Sequence, residues 1–312
     1  MLLAVAALGC GSVAFPGERL ATFGDAPAAM AVDASGIYVL SGGAILAMPL
    51  DGAKSPAVLD VKHIAGALVL SGDDVLFFEA GAAVSTHALV AVPKRGGPPR
   101  LLATRAADVA SGLFSDGARL YWTEYQQIPS GGARTPASIQ MMPAGGGPVS
   151  TLYTTDTALP YGFASDGVRL FFTELRSFGL PASPEGPFLG ALLPDGSVSR
   201  LAEGEGGSPQ WSEGAVFWAS SVEVARTSVD DGMTQVVVPG AVRWFDARGG
   251  RVVVLRSQCD GDDERDRHCS STLQSYPPGH VIASADEDVL TIAADDAFVY
   301  WFVGSDLFRV RR

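Results

Sequence analysis

The feature that most constrains the fold is a short pattern that recurs seven times along the 312 residues. A turn of Asp, Glu or Gly residues is followed within a few positions by a pair of hydrophobic, often aromatic, residues. Successive pairs are separated by 39, 44, 50, 46, 36 and 47 residues, which is close to the length of one four-stranded propeller blade. The seven pairs are Tyr38-Val39, Phe77-Phe78, Tyr121-Trp122, Phe171-Phe172, Phe217-Trp218, Val253-Val254 and Tyr300-Trp301.

Each repeat unit continues beyond its aromatic pair in the same way. A second strand leads to a turn rich in Pro and Gly, and a short last strand follows. With the strand before the first turn, one unit has four strands, and such a sheet cannot cover both of its apolar faces alone. The sequence therefore predicts an all-β, seven-bladed β-propeller. Because the first and sixth units are the least regular, a six-bladed ring remains an alternative.

The two ends of the chain predict how the ring closes. The seventh unit stops after its third strand, within residues 307–312, whereas residues 18–23 read as an outer strand without a blade of its own. We expect this N-terminal strand to complete the seventh blade and remove an exposed sheet edge. Residues 18–312 would then form a single propeller domain.

Composition limits the partners. The chain has 22 Lys and Arg residues against 34 Asp and Glu residues, a net charge of −12. Such a chain repels the phosphate backbone of nucleic acids, so we expect no nucleic-acid partner. The 37 Gly and 20 Pro residues suit short strands joined by tight turns, and we expect a monomer.

Residues 1–17 read as an export signal and a short linker. An apolar run ends in small residues, which is typical of a signal segment, and it is too short to span a bilayer. The residues from Ala7 to Cys10 resemble the lipobox of bacterial lipoproteins, which implies a lipid on Cys10. We therefore expect a cell-envelope lipoprotein whose only membrane contact is this anchor. Secretion without a lipid into the periplasm or medium, and a cytosolic chain, remain alternatives.

The other two cysteines flank a hydrophilic segment. Cys259 and Cys269 would lie on opposite arms of a hairpin, where an oxidising compartment favours a disulfide. A calcium site is the alternative, although the spacing lacks the terminal Glu of a known calcium loop. The carboxylates available to it are Asp260, Asp262, Asp263 and Asp266.

Two of the aromatic pairs belong to a longer motif. The segments Tyr121-Trp122-Thr123-Glu124 and Phe171-Phe172-Thr173-Glu174 resemble the Tyr-Trp-Thr-Asp repeat of low-density lipoprotein receptor propellers. Residues 18–312 as a whole resemble the repeats of secreted bacterial propellers related to the NHL and TolB groups. The resemblance implies the fold but no particular activity, because such propellers serve as binding platforms, scaffolds and, less often, enzymes. It also implies that Glu124 and Glu174 support their blades.

A binding face is predicted from loop length. The loop after the aromatic strand and the loop entering the next inner strand open on one face, and this face carries long insertions in the third, fourth and sixth units. Such insertions often mark a binding face, although neutral surface insertions are an alternative. The candidate binding residues are aromatic or Arg residues, and Trp211 and Trp244 could instead pack between blades. They are Tyr125, Tyr161, Arg176, Trp211, Arg243 and Trp244.

These residues favour a non-catalytic binding or scaffold protein with a protein or glycan partner. The sequence predicts no catalytic residue, metal ligand or cofactor. The four His residues fall in different units and none is in a His-x-x-x-His pair; they are His63, His87, His268 and His280. The alternative is a propeller lyase or hydrolase with its site at the central channel.

Overall fold

The computed structural model shows an all-β ring. In the part of the chain that it describes there are 28 strands and no helix, and they form seven four-stranded antiparallel sheets. No described helix could therefore cross a membrane. The described residues are 17–54, 57–59, 64–80, 86–106, 109–127, 133–175, 187–204, 206–260, 268–277, 279–285 and 289–312.

Each blade is a meander that runs from an inner strand to an outer strand. Blades 1 and 2 contain β2 (Ala29–Asp33), β3 (Gly36–Ser41), β4 (Ala44–Met48), β5 (Ala57–Leu59), β6 (Ile64–Ser71), β7 (Asp74–Ala80), β8 (His87–Pro93) and β9 (Arg100–Arg105). Blades 3 and 4 contain β10 (Val109–Ser115), β11 (Arg119–Gln127), β12 (Ala133–Pro143), β13 (Ser150–Thr155), β14 (Leu159–Ser165), β15 (Leu170–Leu175), β16 (Phe188–Leu192) and β17 (Val198–Glu203). Blades 5 and 6 contain β18 (Gln210–Ser212), β19 (Ala215–Ala219), β20 (Glu223–Ser228), β21 (Thr234–Pro239), β22 (Trp244–Arg248), β23 (Arg251–Asp260), β24 (His268–Tyr276) and β25 (His280–Ala285). Blade 7 contains β26 (Val289–Ala294), β27 (Phe298–Val303), β28 (Asp306–Arg311) and β1 (Glu18–Thr22).

The turn before the aromatic pair is held by its Asp side chain. Asp116 accepts a hydrogen bond from the backbone N–H of Arg119 at 2.7 Å, and the hydroxyl of Tyr121 donates to the same carboxylate at 3.0 Å. Blade 7 repeats the arrangement, with Tyr300 donating to Asp295 at 2.8 Å. An Asp at this position forms a local turn with its own backbone, which explains why the pattern pairs an acidic turn with an aromatic residue.

The aromatic pairs fill the spaces between blades. Successive side chains on a strand point to opposite faces of the sheet, so Tyr121 packs against blade 4 whereas Trp122 packs against blade 2. Both side chains are buried. The described residues form seven buried apolar clusters, one between each pair of neighbouring blades. The prediction of seven blades is confirmed, and the six-bladed alternative is wrong.

The N-terminal strand closes the ring, as predicted. β1 pairs antiparallel with β28, and Glu18 lies opposite Arg309. The two side chains form an ion pair, with 2.7 Å between Arg309 Nη2 and a carboxylate oxygen of Glu18. β1 therefore removes the free edge that β28 would otherwise expose.

A β-bulge shows that β1 is equivalent to the outer strands of other blades. In six blades the register between the third and outer strands shifts at the same place and leaves one aliphatic residue of the outer strand unpaired. Each of these residues packs into the cluster shared with the next blade. A bulge bends its strand and redirects a side chain, so it seals the interface between blades. The unpaired residues are Leu20, Leu102, Leu152, Leu201, Val237 and Ile282.

Candidate functional site

The strand order defines two faces of the ring. The loop face carries the loops between second and third strands and the connections between blades, and it includes Tyr161 and Trp244. The turn face carries the turns between first and second strands and between third and outer strands, and it includes Asp116 and Gly249. The central parts of the three predicted insertions, residues 128–132, 176–186 and 261–267, lie outside the described residues, but the strands that flank them end on the loop face.

A cavity of about 570 Å³ opens on the loop face where blades 4, 5 and 6 meet. Three of the six predicted binding residues line it, namely Tyr161, Arg243 and Trp244. Tyr161 belongs to β14 of blade 4, whereas Arg243 and Trp244 stand at the start of β22 in blade 6, and the two blades flank blade 5 at this cavity. The other lining residues are Leu175, Gly206, Gly207, Ser208, Gln210, Ala219, Ser220, Ser221, Val242 and Phe245.

A bulge in β14 shapes the side of this cavity formed by blade 4. The register between β14 and β15 shifts between Tyr161 and Phe163, and Gly162 has a φ of +58°. A Cβ atom on Gly162 would lie 2.4 Å from the Cα of Ser208, so only glycine allows blade 4 to approach blade 5 this closely. The bulge leaves Tyr161 38% exposed at the cavity.

Gln210 holds in place the side of the cavity that blade 6 forms. Its amide nitrogen donates to the backbone oxygen of Phe245 at 2.8 Å, and its amide oxygen accepts from the backbone N–H of Ala247 at 2.8 Å. The side chain thus occupies the inner edge of β22 as a neighbouring strand would. Because β22 begins at Trp244, this bridge sets where Trp244 stands relative to blade 5.

The groups around the cavity are suited to binding. The lining offers aromatic surface, one guanidinium group and the hydroxyls of Ser208, Ser220 and Ser221. No carboxylate, imidazole or thiol is among the lining residues in the described part of the chain. No group of three metal-ligating side chains occurs among the described residues either. The exposed side chain of Val222 adjoins the cavity next to Ser221 and adds apolar surface.

The remaining predicted site residues lie elsewhere. Tyr125 is half-buried near the end of β11, opposite Val109, and burial raises the pKa of its hydroxyl. The ring of Trp211 stacks on Phe171 with 5.4 Å between centroids and 10° between planes, which is the packing between blades that the sequence left open. Arg176 lies outside the described residues.

Trp244 has two environments. It packs partly against the cluster between blades 6 and 7, and it also lines both the loop-face cavity and a cavity of about 440 Å³ along the ring axis.

The axial cavity contains charged side chains, and these are held in ion pairs. Lys94 pairs with Asp33, and Arg248 approaches Asp246 at 3.2 Å.

The Thr-Glu part of the repeat joins neighbouring blades. Glu124 accepts hydrogen bonds from Arg105 of blade 2 at 2.8 and 3.0 Å. Thr123 donates to the backbone oxygen of Pro160 in blade 4 at 2.7 Å. In the next repeat Glu174 accepts a hydrogen bond from Tyr153 of blade 3 at 3.3 Å. The acidic residue therefore bonds to the preceding blade and the threonine to the following one, which agrees with the supporting role expected for Glu124 and Glu174.

The predicted cysteine positions are described in part. Cys10 lies outside the described residues, as do Asp262, Asp263 and Asp266. The backbones of β23 and β24 place Cys259 directly opposite Cys269 in the antiparallel ladder. The two residues thus lie on opposite arms of a hairpin, as expected.

Sequence reasoning missed the serine and glycine part of the cavity. Gly206, Gly207 and Ser208 enter blade 5, and Ser220 and Ser221 form the turn after β19. The backbone N–H of Gly207 donates to Ala219 at 2.6 Å, which brings the two segments together. The only signal in the sequence was a Gly-Gly-Ser run ahead of an inner strand, which is also common in ordinary loops.

Comparison with known proteins supports the architecture. No protein-family model matches the sequence, and a search of curated proteins finds no match. Among solved structures, a gluconolactonase from Xanthomonas campestris is 16% identical over 94% of this chain and 88% of its own, with a TM-score of 0.51. BamB from Moraxella catarrhalis is 13% identical over 92% and 86% of the two chains, with a TM-score of 0.51. A putative TolB from Agrobacterium tumefaciens is 17% identical over 82% and 93%, with a TM-score of 0.50. At such identities the likeness shows a shared propeller fold.

Proposed function

We propose that this propeller is a non-catalytic binding protein of the cell envelope that holds a protein partner on its loop face. The observation that carries the proposal is the cavity where blades 4, 5 and 6 meet, with Tyr161, Arg243 and Trp244 around it. A side chain of the partner would enter this cavity, and the rest of the partner's interface would contact the surrounding loop face.

The composition of the cavity fits a protein partner. Aromatic and Arg residues are enriched at the centres of protein interfaces, where they supply most of the binding energy. The volume of about 570 Å³ lies within the range of roughly 300–1,000 Å³ that is typical of binding pockets. Exposed Tyr161 and Val222 extend the apolar surface beyond the rim, and the serine hydroxyls offer hydrogen bonds to a peptide backbone.

The fold neighbours allow both binding and catalysis. TolB and BamB share the fold, and so does a gluconolactonase. For an enzyme the site would lie in the axial cavity, but the charged side chains described there are paired with one another: Lys94 of blade 2 with Asp33 of blade 1, and Arg248 with Asp246 of the same strand. The loop-face cavity, lined by binding groups, therefore favours the binding function.

Export is the second part of the proposal. The apolar run ahead of Cys10 supports a signal segment with a lipid on Cys10. Directly opposed residues of an antiparallel ladder have Cα atoms about 4.5–5.5 Å apart, a separation that a disulfide between Cys259 and Cys269 can bridge. A linked pair would suit the oxidising conditions outside the cytoplasm.

Export is tested by mass and by labelling. In cells fed a radioactive fatty acid, we expect label in the wild-type chain and none in Cys10→Ala. The intact mass of the exported protein should rise by two hydrogens on reduction. An unlabelled wild-type chain would exclude the anchor, and two free thiols in the exported protein would exclude the disulfide.

The loop-face proposal is tested with a double variant. We expect Tyr161→Ala/Trp244→Ala to lose at least about 30-fold in affinity for an envelope protein that the immobilised wild-type chain retains, because truncating each of two aromatic anchors typically costs more than about 1 kcal/mol. The measurement is surface plasmon resonance with the retained protein after its purification. The matched control is Met233→Ala/Val281→Ala, which removes two exposed apolar side chains from outer regions of blades 5 and 6.

Three outcomes decide the test. Loss in the cavity variant together with full affinity in the control supports the proposal. Equal affinity of the two variants contradicts it. Binding of the wild-type chain to a glycan array, with loss in the cavity variant, would replace the protein partner by a glycan at the same site.

A further inference from the structure

A third cavity, of about 480 Å³, opens on the turn face between blades 6 and 7. It lies on the opposite face from the proposed partner site. Four arginines line it, although the chain as a whole carries a net charge of −12. The lining residues are Arg248, Gly249, Arg251, Asp296, Ala297, Arg311 and Arg312.

Two of these arginines flank a two-residue hairpin turn. Gly249 and Gly250 have φ values of +53° and +69°, and both being positive is typical of a type I′ turn. Arg248 and Arg251 are direct partners across this turn, so their side chains leave the same face of the sheet. Like charges placed directly opposite one another destabilise a sheet, and a bound anion would offset that cost.

The acidic groups nearby neutralise only part of this charge. Arg312 is bound to the buried carboxylate of Asp246, and Arg248 lies 3.2 Å from Asp246 and 3.7 Å from the exposed Asp296. Among the described residues, the carboxylate of Glu213 also lies near the turn, 3.7 Å from where a Cβ of Gly250 would stand.

Arg251 and Arg311 are the uncompensated charges. Among the described residues Arg251 forms no ion pair, and Arg311 contacts the ring of Phe298 with 5.9 Å to its centroid. Both residues are exposed at the cavity. Their guanidinium groups are therefore available to a ligand.

We propose that this cavity binds a phosphate group through Arg251 and Arg311, with Arg248 as the third cation. A guanidinium group presents its N–H donors in a planar fork that matches the oxygens of phosphate. A phosphate monoester carries between about one and two negative charges at neutral pH, and the phosphodiester of a phospholipid carries about one. Two uncompensated cations can neutralise either group.

Two sources could supply the phosphate group: a free phosphorylated small molecule or a phospholipid headgroup. β1 begins on the turn face, since Glu18 pairs with Arg309 two residues before Arg311. A lipid on Cys10 would hold this face towards the membrane. The headgroup source thus rests on the proposed export, whereas the phosphate site itself does not.

The experiment compares two charge-matched double variants of the full chain. All proteins carry Cys10→Ala, so that no lipid tether contributes to binding. Arg251→Ala/Arg311→Ala removes the two uncompensated cations. Lys54→Ala/Arg95→Ala removes two exposed cations on the turn face of blades 1 and 2. Each protein is titrated with inorganic phosphate by calorimetry and sedimented with vesicles of phosphatidylcholine, alone or mixed with phosphatidylglycerol.

We expect phosphate to bind the parent chain and the Lys54→Ala/Arg95→Ala control equally, and to bind Arg251→Ala/Arg311→Ala at least about tenfold more weakly. Phosphate binding without vesicle binding supports the site with a free ligand. Binding to the mixed vesicles that is lost in Arg251→Ala/Arg311→Ala supports it with a headgroup. Absence of binding to phosphate and to both vesicles, or an equal loss in the two variants, would overturn the proposal.

Discussion

Replacing Asp246 by Ala is expected to lower the free energy of unfolding by about 3–5 kcal/mol. Asp246 accepts hydrogen bonds from Arg312 both at its carboxylate, 2.5 Å from Nη1, and at its backbone oxygen, 3.1 Å from Nη2. Both side chains are only 6% exposed. Removing the carboxylate leaves the Arg312 charge buried without its counter-ion, and a buried, unpaired charge is far more costly than an intact pair is favourable.

This pair links blade 6 to blade 7, so its loss should loosen the ring where these blades meet. The measurement is urea-induced unfolding followed by tryptophan fluorescence. Asp296→Ala is the matched control, since Asp296 is 97% exposed and lies 3.7 Å from Arg248; it should leave the unfolding midpoint unchanged. Asp246→Leu/Arg312→Met should recover most of the loss, because apolar groups of similar size replace buried ion pairs well. An unfolding midpoint for Asp246→Ala equal to that of the control would show that the pair of Asp246 and Arg312 does not stabilise the contact between blades 6 and 7.

The two glutamates of the repeated Thr-Glu motif are expected to respond differently to substitution. At neutral pH, Glu124→Gln should lower the free energy of unfolding by about 1–2 kcal/mol, because it weakens a two-bond contact with an Arg105 side chain that is a third exposed. The hydrogen bonds to Glu124 also raise the pKa of Arg105. Glu174→Gln, at the equivalent position of the next blade, should leave the protein as stable or make it more stable.

The difference arises from what faces each carboxylate. Glu174 is 2% exposed, and burial raises its pKa above the ordinary value, although the hydroxyl of Tyr153 and the charge of Arg200 oppose the shift. A raised folded-state pKa means that the folded chain holds this proton more tightly than the unfolded chain does. Its favourable contribution is therefore present below the ordinary pKa of 4.5 and is lost as the pH rises through the folded-state pKa. Gln, which cannot ionise, avoids that loss.

The measurement is the free energy of unfolding of both variants between pH 4 and pH 8. For Glu174→Gln, the gain over wild type should grow as the pH rises and vanish towards pH 4. For Glu124→Gln, a loss should be present at neutral pH. If the two variants respond alike at pH 7, the environments of the two glutamates do not differ as the structure shows.

The repeat, the number of blades and the closure of the ring could all be predicted from the sequence. Each unit contains its own turn residues and its own alternation of apolar and polar side chains. Both determine local structure through residues that are close together in the sequence. Asp116 and Tyr121 are five residues apart and bond to each other, so the pattern that specifies the turn also positions the aromatic residue. Residues 18–23 could be predicted to form an outer strand for the same reason, because strand propensity is a property of the local sequence.

The composition of the sites was decided by the tertiary structure. Trp211 and Trp244 both stand at the start of an inner strand, yet Trp211 stacks on Phe171 and Trp244 lines the cavity. Which way each points depends on the register of β18 and β22 and on how closely neighbouring blades approach. Gly162 allows one such approach, and a bare sequence gives no sign of it.

The ion pairs that join neighbouring blades were also decided by the tertiary structure. Arg105 binds Glu124 and Arg312 binds Asp246 from different repeat units, separated by 19 and 66 residues. Local propensity acts over a few residues, so it determines strands, turns and their period. A contact between blades exists only once the ring has closed and set the distance between sheets, and both proposed binding sites are made of such contacts.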